Sequence, residues 1–230
     1  MITTLLMDLD DTILDFRRCE AFALTKALEA LGIALTPGVL SRYSAINDQH
    51  WKALERREIS REEVLVGRFR VLFRELGITA SPQEAQAHYE EQLSRQHFFL
   101  PGAQALLEQL KGRYELDVIS NGTAVVQDRR LAESGLEEVF THIFISQRLG
   151  CDKPSPAFFD ACFQAMPGKR REECLIVGDS LTSDILGGIN AGIQTVWFNP
   201  RHMPAREDIP ADWEISALQE LPGLLESIGG

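Results

Sequence analysis

The sequence predicts an α/β protein whose open parallel sheet is interrupted by a helical insert. Along most of the chain, short apolar runs alternate with helical stretches, which is the pattern of a doubly wound parallel sheet. Between residues 15 and 100 this alternation stops, and the chain has helical periodicity throughout. We therefore predict a core domain of residues 1–14 and 101–230 and an all-helical cap domain of residues 15–100.

Each predicted strand is a short apolar run with the composition of a buried parallel strand. The predicted strands are Thr3–Asp8, Leu116–Ser120, His142–Ser146, Cys174–Asp179 and Thr195–Phe198. The predicted helices between them are Gly102–Lys111, Ala124–Glu133, Pro156–Met166 and Ser183–Ala191. Four strands end in polar residues, namely Asp8, Ser120-Asn121-Gly122, Ser146 and Asp179. Because open parallel sheets bind ligands at the carboxyl ends of their strands, we expect the functional residues there.

Capping residues mark the helix boundaries in the insert. Helix starts are predicted at Thr36-Pro37, at Ser60 with Glu63, and at Ser81-Pro82 with Glu84. Helix ends are predicted at Gly32 and Gly77. Apolar residues from Tyr43 to Leu54 and from Val64 to Leu76 recur at helical spacing and predict a small bundle core.

Charge and composition exclude several classes of partner. The net charge is −11; residues 15–100 are neutral, with 12 basic and 12 acidic residues, and the rest of the chain carries the acidic excess. No basic surplus of the kind that binds nucleic acid polymers is present. No window approaches the ~18 unbroken apolar residues of a membrane helix, and no secretory signal is visible at the start. The four cysteines form no CxxC pair, so we expect free thiols and a cytoplasmic location. Separately, we expect a monomer or a homodimer.

The first segment whose residues could carry out catalysis is Asp8-Leu9-Asp10-Asp11-Thr12. Two carboxylates two positions apart at a strand end can reach the same pocket. An aspartate with a pKa of ~3.9 is ionised at neutral pH and can attack phosphorus without a general base. A second carboxyl can protonate the leaving oxygen and then activate water against the acyl phosphate. Acidic turns and helix caps also contain such runs, so this segment alone does not decide the function.

Two further segments supply groups that suit a phosphate. Ser120-Asn121-Gly122 combines a hydroxyl with the N–H groups of a turn before a helix, a natural phosphate cradle, although Asn-Gly turns also occur without a ligand. Lys153, which is followed by Pro154 just ahead of a helix, can neutralise phosphate. Arg148 could serve the same purpose.

The fourth segment, Gly178 to Asp184, indicates a metal site. Asp179 ends a strand, and Asp184 follows in the first turn of the next helix. If these two converge with Asp8 and Asp10, four negative charges face only Lys153, and each pair ~4 Å apart repels by about 4 kcal/mol. A divalent cation relieves this repulsion and polarises a phosphate. Carboxylate oxygens without a histidine cluster favour Mg²⁺, and we assign no metal role to His50, His88, His97, His142 or His202.

Over nearly its whole length the chain resembles the haloacid dehalogenase (HAD) superfamily of aspartyl phosphotransferases. The matching motifs are Asp8-x-Asp10-x-Thr12, Ser120, Lys153 and Gly178-Asp179-(x3)-Ser183-Asp184. The resemblance implies a Rossmann-like core with a helical cap inserted after the first motif. It also implies Asp8 as the nucleophile and Asp10 as the general acid/base.

The same resemblance implies the ligand contacts. Ser120 and Lys153 would hold the phosphoryl group, with the neighbouring substrate contacts from Thr12, Asn121 and Gly122. Mg²⁺ would be bound by the metal ligands Asp8, Asp10 (through its backbone carbonyl) and Asp179, with Asp184 close by.

Three segments resemble the branch that contains bacterial house-cleaning pyrimidine 5′-nucleotidases, the YjjG/YfnB type. They are Gly178 to Gly192, Tyr43-x-x-Ile46-Asn47-x-x-x-Trp51 and Trp197-Phe198-Asn199-Pro200. This resemblance implies hydrolysis of a small phosphorylated metabolite, a nucleoside monophosphate, with dUMP, dTMP and UMP as the first candidates. Asn47 and Trp51 are predicted to touch the base, although Trp51 fits a bundle core equally well. His50 and Arg56-Arg57 depart from the branch pattern within the cap, which sets specificity in this superfamily.

Other functions remain open at this point. A sugar-phosphate phosphatase or a phosphomutase would use the same site. A haloacid dehalogenase shares the nucleophile but needs neither a metal nor the leaving-group acid that Asp10 provides. A non-enzymatic HAD-like binding protein would be expected to lack one of Asp8, Asp10, Lys153 or Asp179.

Overall fold

The structure is a computed structural model that describes residues 1–228. It divides into two compact units. The core unit contains Met1–Asp15 and the chain from Phe99 onward, and the helical unit is Phe16–Phe98. The predicted boundaries lay after residues 14 and 100.

The core unit is built on a parallel sheet. Its strands are β1 Thr4–Met7, β2 Glu115–Ser120, β3 His142–Ile145, β4 Cys174–Gly178, β5 Gln194–Phe198 and β6 Trp213–Ile215. They are arranged in the order β3-β2-β1-β4-β5-β6, and each neighbouring pair is parallel. This confirms the predicted α/β fold. The sequence prediction missed β6, because three residues are too short to show a period of two.

Strand β1 lies at the centre of the sheet and determines where the polar strand ends meet. Its residues Leu5, Leu6 and Met7 are completely buried, as expected of a strand with paired neighbours and covered faces. Met7 pairs with Val118 of β2 and Val177 of β4. The carboxyl ends of β1, β2 and β4 therefore lie side by side, which brings together three predicted segments that are far apart in sequence.

The helical unit contains four helices: α1 Phe16–Ala30, α2 Val39–Glu55, α3 Arg61–Leu76 and α4 Pro82–Leu93. The predicted caps of α3 and α4 are confirmed, since Ser60 and Ser81 each accept a hydrogen bond from the backbone N–H three residues later, at 3.2 Å. The predicted start of α2 at Thr36-Pro37 is wrong. Gly38 precedes the helix with a φ of 87°, a conformation that glycine adopts without strain, and the helix begins at Val39.

Helices of the core unit cover the sheet, and short helical turns join them to the strands. They are α5 Ala103–Leu110, α6 Ala124–Ser134, α7 Ser146–Leu149, α8 Pro156–Ala165, α9 Leu186–Ala191 and α10 Leu221–Ile228. A π-helical turn, Leu181–Ile185, stands directly before α9, where the sequence predicted a regular helix. Within residues 1–228, none of the helices combines the length and apolar character needed to cross a bilayer.

Candidate active site

Asp8 is the first residue after β1 and lies at the centre of the candidate site. Its backbone N–H donates to the carbonyl of Val177 at 2.9 Å, which continues the pairing with β4 by one residue. The chain then turns back, with the Leu14 N–H donating to the Leu9 carbonyl at 2.8 Å. Asp11 takes a left-handed φ of 59° in this turn, a conformation that is uncommon outside glycine and is found at functional sites.

Lys153 is the buried cation of the site, with only 1% of its surface exposed. Its Nζ donates to Oδ1 of Asp8 at 2.7 Å, to Oδ1 of Asp184 at 2.6 Å and to the carbonyl of Ile119 at 2.8 Å. These contacts use all three ammonium hydrogens. Arg148, the sequence-based alternative, instead forms an exposed ion pair with Asp128, so the structure selects Lys153.

Charge and burial perturb the ionisation of this cluster. Burial raises the pKa of Asp8 to about 7. The positive charge of Lys153 lowers this pKa, but the negative charges of Asp184 and Asp10 raise it further, so the lysine offsets the effect of burial only in part. Burial, reinforced by Asp8 and Asp184, likewise raises the pKa of Asp179 well above its usual range. For Lys153, burial disfavours the ammonium, but Asp184 and Asp8 outweigh it and raise the pKa above its ordinary value.

Asp184 is held tightly beside the end of β4. One of its oxygens accepts from Lys153, and the other accepts from the backbone N–H of Ser180 at 3.1 Å. Its side chain lies so close to the strand that a Cβ at Gly178 would come within 2.4 Å of the Asp184 Cγ. Only glycine fits at position 178, which explains the Gly-Asp start of this segment.

Asp8, Asp179 and Asp184 form the cluster that could hold a metal ion. Each offers a carboxylate oxygen, and the three atoms lie within 4.8 Å of one another. Hard oxygen donors at this spacing fit Mg²⁺. The two hydrogen bonds to Asp184 leave Asp8 and Asp179 as the better-placed donors, while Asp184 also fixes Lys153.

Formal charges at the site support a divalent cation. Arg201, from the loop after β5, lies 3.4 Å from Asp179 and 3.7 Å from Asp11, and Arg130 of α6 contacts Asp10. The side chains in this count are Asp8, Asp10, Asp11, Asp179, Asp184, Lys153, Arg130 and Arg201. Five carboxylates against three cations leave two negative charges, the amount that one divalent cation neutralises.

A network around Ser120 at the end of β2 holds Asp10. Gln127 Nε2 donates to Asp10 Oδ2 at 2.6 Å and to Ser120 Oγ at 2.9 Å. Arg130 Nη1 donates to Asp10 Oδ1 at 2.5 Å and to Gln127 Oε1 at 2.8 Å. The sequence reasoning missed Gln127 and Arg130. The available signal was their i, i+3 spacing, which puts both on one face of a helix that starts just after the strand-end turn.

Of the remaining predicted substrate contacts in the core unit, Asn121 and Gly122 have protein partners of their own, and Thr12 does not. The Asn121 side chain brackets the backbone of Lys153, donating to its carbonyl and accepting from its N–H, both at 2.9 Å. The Gly122 N–H donates to Ser120 Oγ at 3.1 Å. Thr12 is completely buried, and its hydroxyl has no hydrogen-bond partner within residues 1–228. Direct contact of these three residues with a substrate stays a prediction.

Asn47 and Trp51 lie in the helical unit. Asn47 is buried, and its amide is occupied, donating to Glu20 Oε1 at 2.8 Å and accepting from Arg68 at 2.7 Å. Because Asn47 is buried, a base could reach this amide only if neighbouring side chains moved. Trp51 is half-buried, and the guanidinium of Arg61 lies 5.5 Å from its ring centroid.

A second group of possible metal ligands occurs at the opposite ends of β2 and β3. It contains Glu115, Asp117 and His142, although no metal role was expected for any histidine. Its members already have protein partners: His142 contacts Asp117 Oδ1 through both its backbone N–H and Nδ1 at 2.9 Å, and Lys169 lies 3.0 Å from Glu115. We therefore interpret this group as an ion-pair cluster outside the candidate site.

Comparisons with known proteins agree with this geometry. A model of the haloacid dehalogenase-like hydrolase family matches residues 2–192. The HAD-hydrolase YfnB of Bacillus subtilis is 39% identical over 222 residues, which span 96% of this chain and 94% of YfnB. A crystal structure of YfnB bound to magnesium superposes with a TM-score of 0.93 at 38% identity, covering 97% of this chain and 98% of that one.

Two relatives are named as pyrimidine 5′-nucleotidases. PynA of Streptococcus pneumoniae is 38% identical over 96% of this chain and 94% of its own. YjjG of Escherichia coli is 31% identical over 95% of both chains. The resemblance predicted from the four motifs is confirmed: this chain belongs to the haloacid dehalogenase-like hydrolase family.

Proposed function

We propose that the protein is a cytoplasmic, Mg²⁺-dependent phosphomonoesterase that acts on nucleoside 5′-monophosphates through an aspartyl-phosphate intermediate. The observation that carries the proposal is the pairing of Asp8 with the buried ammonium of Lys153, next to a second carboxylate, Asp10, that is tied to Ser120. A nucleophile, a cation for the phosphoryl oxygens, a hydroxyl donor and an acid/base group would thus meet at the carboxyl ends of β1 and β2, which the Lys153 ammonium reaches from the loop between α7 and α8.

In the first step an Asp8 oxygen attacks phosphorus and the bond to the ester oxygen breaks. Lys153 donates to Oδ1, so the attacking atom in our proposal is Oδ2. The departing ester oxygen takes a proton from Asp10, which releases the alcohol and leaves phosphate on Asp8. Ser120 would donate to a transferred phosphoryl oxygen, and Lys153 would stabilise the phosphoryl charge, contacting an oxygen directly if it gave up one of its three present hydrogen bonds.

In the second step water attacks the phosphorus of the aspartyl phosphate. The water proton passes to Asp10, the bond from phosphorus to Asp8 breaks, and inorganic phosphate and the Asp8 carboxylate are released. Both catalytic aspartates thereby return to their starting states.

Asp8, Asp179 and the Asp10 backbone carbonyl would hold Mg²⁺, with Asp184 beside them. When bound, the ion would neutralise the excess negative charge of the site and polarise the phosphate. This assignment is supported by the carboxylate spacing, by the formal charge count and by the magnesium-bound structure of YfnB.

The proposed substrate class rests on the relatives PynA and YjjG, which are named as pyrimidine 5′-nucleotidases. Within the helical unit, Trp51 offers a half-buried aromatic face on which a base could stack. The amide of Asn47 already bonds to Glu20 and Arg68 and is buried, so it would have to become accessible to read a base edge.

The test is phosphate release from dUMP, dTMP and UMP and from a panel of sugar phosphates, in Mg²⁺ or EDTA. We expect Mg²⁺-dependent turnover of the pyrimidine nucleotides. The rate of phosphate release should be at least 10³-fold lower with Asp8→Asn, because asparagine keeps the volume of the nucleophile but not its charge. Asp128→Asn, an exposed aspartate of α6, is the matched control and should keep full activity. Turnover of sugar phosphates alone would refute the nucleotidase proposal. Release of halide from a 2-haloacid without metal would refute the phosphatase proposal.

A further inference from the structure

The hydrogen bonds among Asp10, Ser120, Gln127 and Arg130 form a closed network. The two hydrogens of the Gln127 amide go to Asp10 Oδ2 and to Ser120 Oγ, and its carbonyl oxygen accepts from Arg130 Nη1. The same Arg130 nitrogen donates its other hydrogen to Asp10 Oδ1. Arg130 also fixes the orientation of the amide, because a flipped Gln127 would turn NH₂ against a guanidinium and oxygen against a carboxylate.

This network leaves the hydroxyl hydrogen of Ser120 available to donate to a substrate. Its Oγ accepts from Gln127 at 2.9 Å and from the Gly122 N–H at 3.1 Å. With both lone pairs used, the hydroxyl hydrogen must point elsewhere, and a phosphoryl oxygen is the acceptor that the proposed function provides. Gln127 therefore orients the hydroxyl hydrogen of Ser120 as well as the carboxylate of Asp10.

Packing holds Gln127 and Arg130 in place. A Cβ at Gly122 would lie 2.4 Å from Gln127 Nε2 and 2.7 Å from its Cδ and Cγ, so glycine is required for Gln127 to cross this turn. Arg130 is completely buried, and a buried guanidinium that lost its carboxylate would be strongly disfavoured. The turn, the amide and the guanidinium therefore hold Asp10 in one position.

We propose that Gln127 and Arg130 are positioning residues that hold the Asp10 carboxylate beside Ser120 so that it serves both half-reactions. The inference rests on the proposed function. Water attacks phosphorus from the side on which the ester oxygen left, so the leaving oxygen and the attacking water occupy the same place. One fixed carboxylate can therefore donate the proton in the first step and accept it in the second.

The experiment compares two substrates whose first steps differ in their need for a proton. dUMP releases a sugar alkoxide that must be protonated, whereas p-nitrophenyl phosphate releases a stable anion that leaves without a proton. The variants are Gln127→Leu, which keeps the volume and loses the amide, and Arg130→Met. Arg129→Met, at a half-buried residue of the same helix that pairs with Glu133, is the matched control.

For Gln127→Leu we expect kcat on dUMP to fall about 10²-fold, since a positioned acid/base group contributes 10²–10⁴-fold. On p-nitrophenyl phosphate we expect a burst of about one equivalent of nitrophenolate, followed by a slow steady state, because only the second step still needs Asp10. KM should change little, and Arg129→Met should match the wild type. Circular dichroism in Mg²⁺ identifies folded variants, and if Arg130→Met does not fold, Gln127→Leu decides.

Several outcomes would overturn the inference. Equal losses on both substrates without a burst would mean that the variants only lower the amount of active enzyme. Wild-type kinetics in folded Gln127→Leu would mean that Asp10 needs no such support. A wild-type enzyme that releases no phosphate from either substrate would instead refute the proposed function, so the two failures are distinguishable.

Discussion

Replacing Lys153 with methionine tests the electrostatic centre of the site. Methionine keeps nearly the length and volume of the lysine stem, so the packing changes little, but the ammonium is lost. Asp8, Asp184 and the Ile119 carbonyl each lose a hydrogen bond of 2.6 to 2.8 Å in a position that water does not reach. Two buried carboxylates would then face each other without a cation.

Removing one partner of a buried ion pair destabilises a protein by about 3–5 kcal/mol. We expect Lys153→Met in EDTA to lose about this amount of unfolding free energy, a large share of the 5–15 kcal/mol typical of a folded domain. Saturating Mg²⁺ should recover more stability in the variant than in the wild type, because the cation binds a more negative site. A ligand that binds only the folded state and is present at 100 times its Kd adds about 2.7 kcal/mol to the free energy of unfolding.

Urea unfolding followed by circular dichroism, with EDTA or with Mg²⁺, measures both effects. Lys52→Met is the matched control: Lys52 forms an exposed i, i+4 pair with Asp48, and its loss should change stability by no more than about 0.5 kcal/mol. A loss below about 1 kcal/mol for Lys153→Met in EDTA would contradict the reasoning, since Lys153 would then not be what compensates Asp8 and Asp184.

Three further predictions concern pH, metal and the helical unit. Because burial raises the pKa of Asp8 to about 7, the metal-free folded protein binds this proton more tightly than the unfolded chain, and the stability that Asp8 contributes should be lost as pH rises from about 4 to 7. Urea midpoints of Asp8→Asn should lack this loss, which the difference between the two pH profiles measures. Chelation with EDTA should abolish phosphate release and added Mg²⁺ should restore it; activity that persists in EDTA would exclude the metal assignment. Asn47→Leu should lower the unfolding free energy by about 2–4 kcal/mol, because it breaks buried hydrogen bonds to Glu20 and Arg68. An unchanged urea midpoint with a raised KM for dUMP would instead assign Asn47 to the substrate.

Much of the fold was predictable because parallel strands and amphipathic helices leave periodic signals. The apolar runs before Asp8, at Leu116–Ser120 and at Cys174–Asp179 became β1, β2 and β4 with bounds shifted by at most one residue. The start of α2 was mispredicted because Pro37 is also compatible with the loop before a helix. The turn Leu181–Ile185 is π-helical, and no residue preference predicts this variation.

The site was predictable to the extent that it depends on strand ends. Asp8, Ser120 and Asp179 follow apolar runs, and the carboxyl ends of neighbouring parallel strands meet at one edge of the sheet. Their convergence follows from topology alone, and Lys153 was a candidate because its charge suits a phosphate. The charges of these residues also pointed to a divalent cation before any distance was known.

Tertiary structure alone decided which side chains pair with which. Asn121 supports the backbone of Lys153, Gln127 joins Asp10 to Ser120, and Arg201 approaches Asp179. These pairings depend on side-chain rotamers and on contacts between residues that are from seven to 117 positions apart in the chain. A shift of about 1 Å separates a hydrogen bond from none. Local sequence records the types of these residues but not their partners, because each partner is selected by competition among all the polar groups that folding brings within reach.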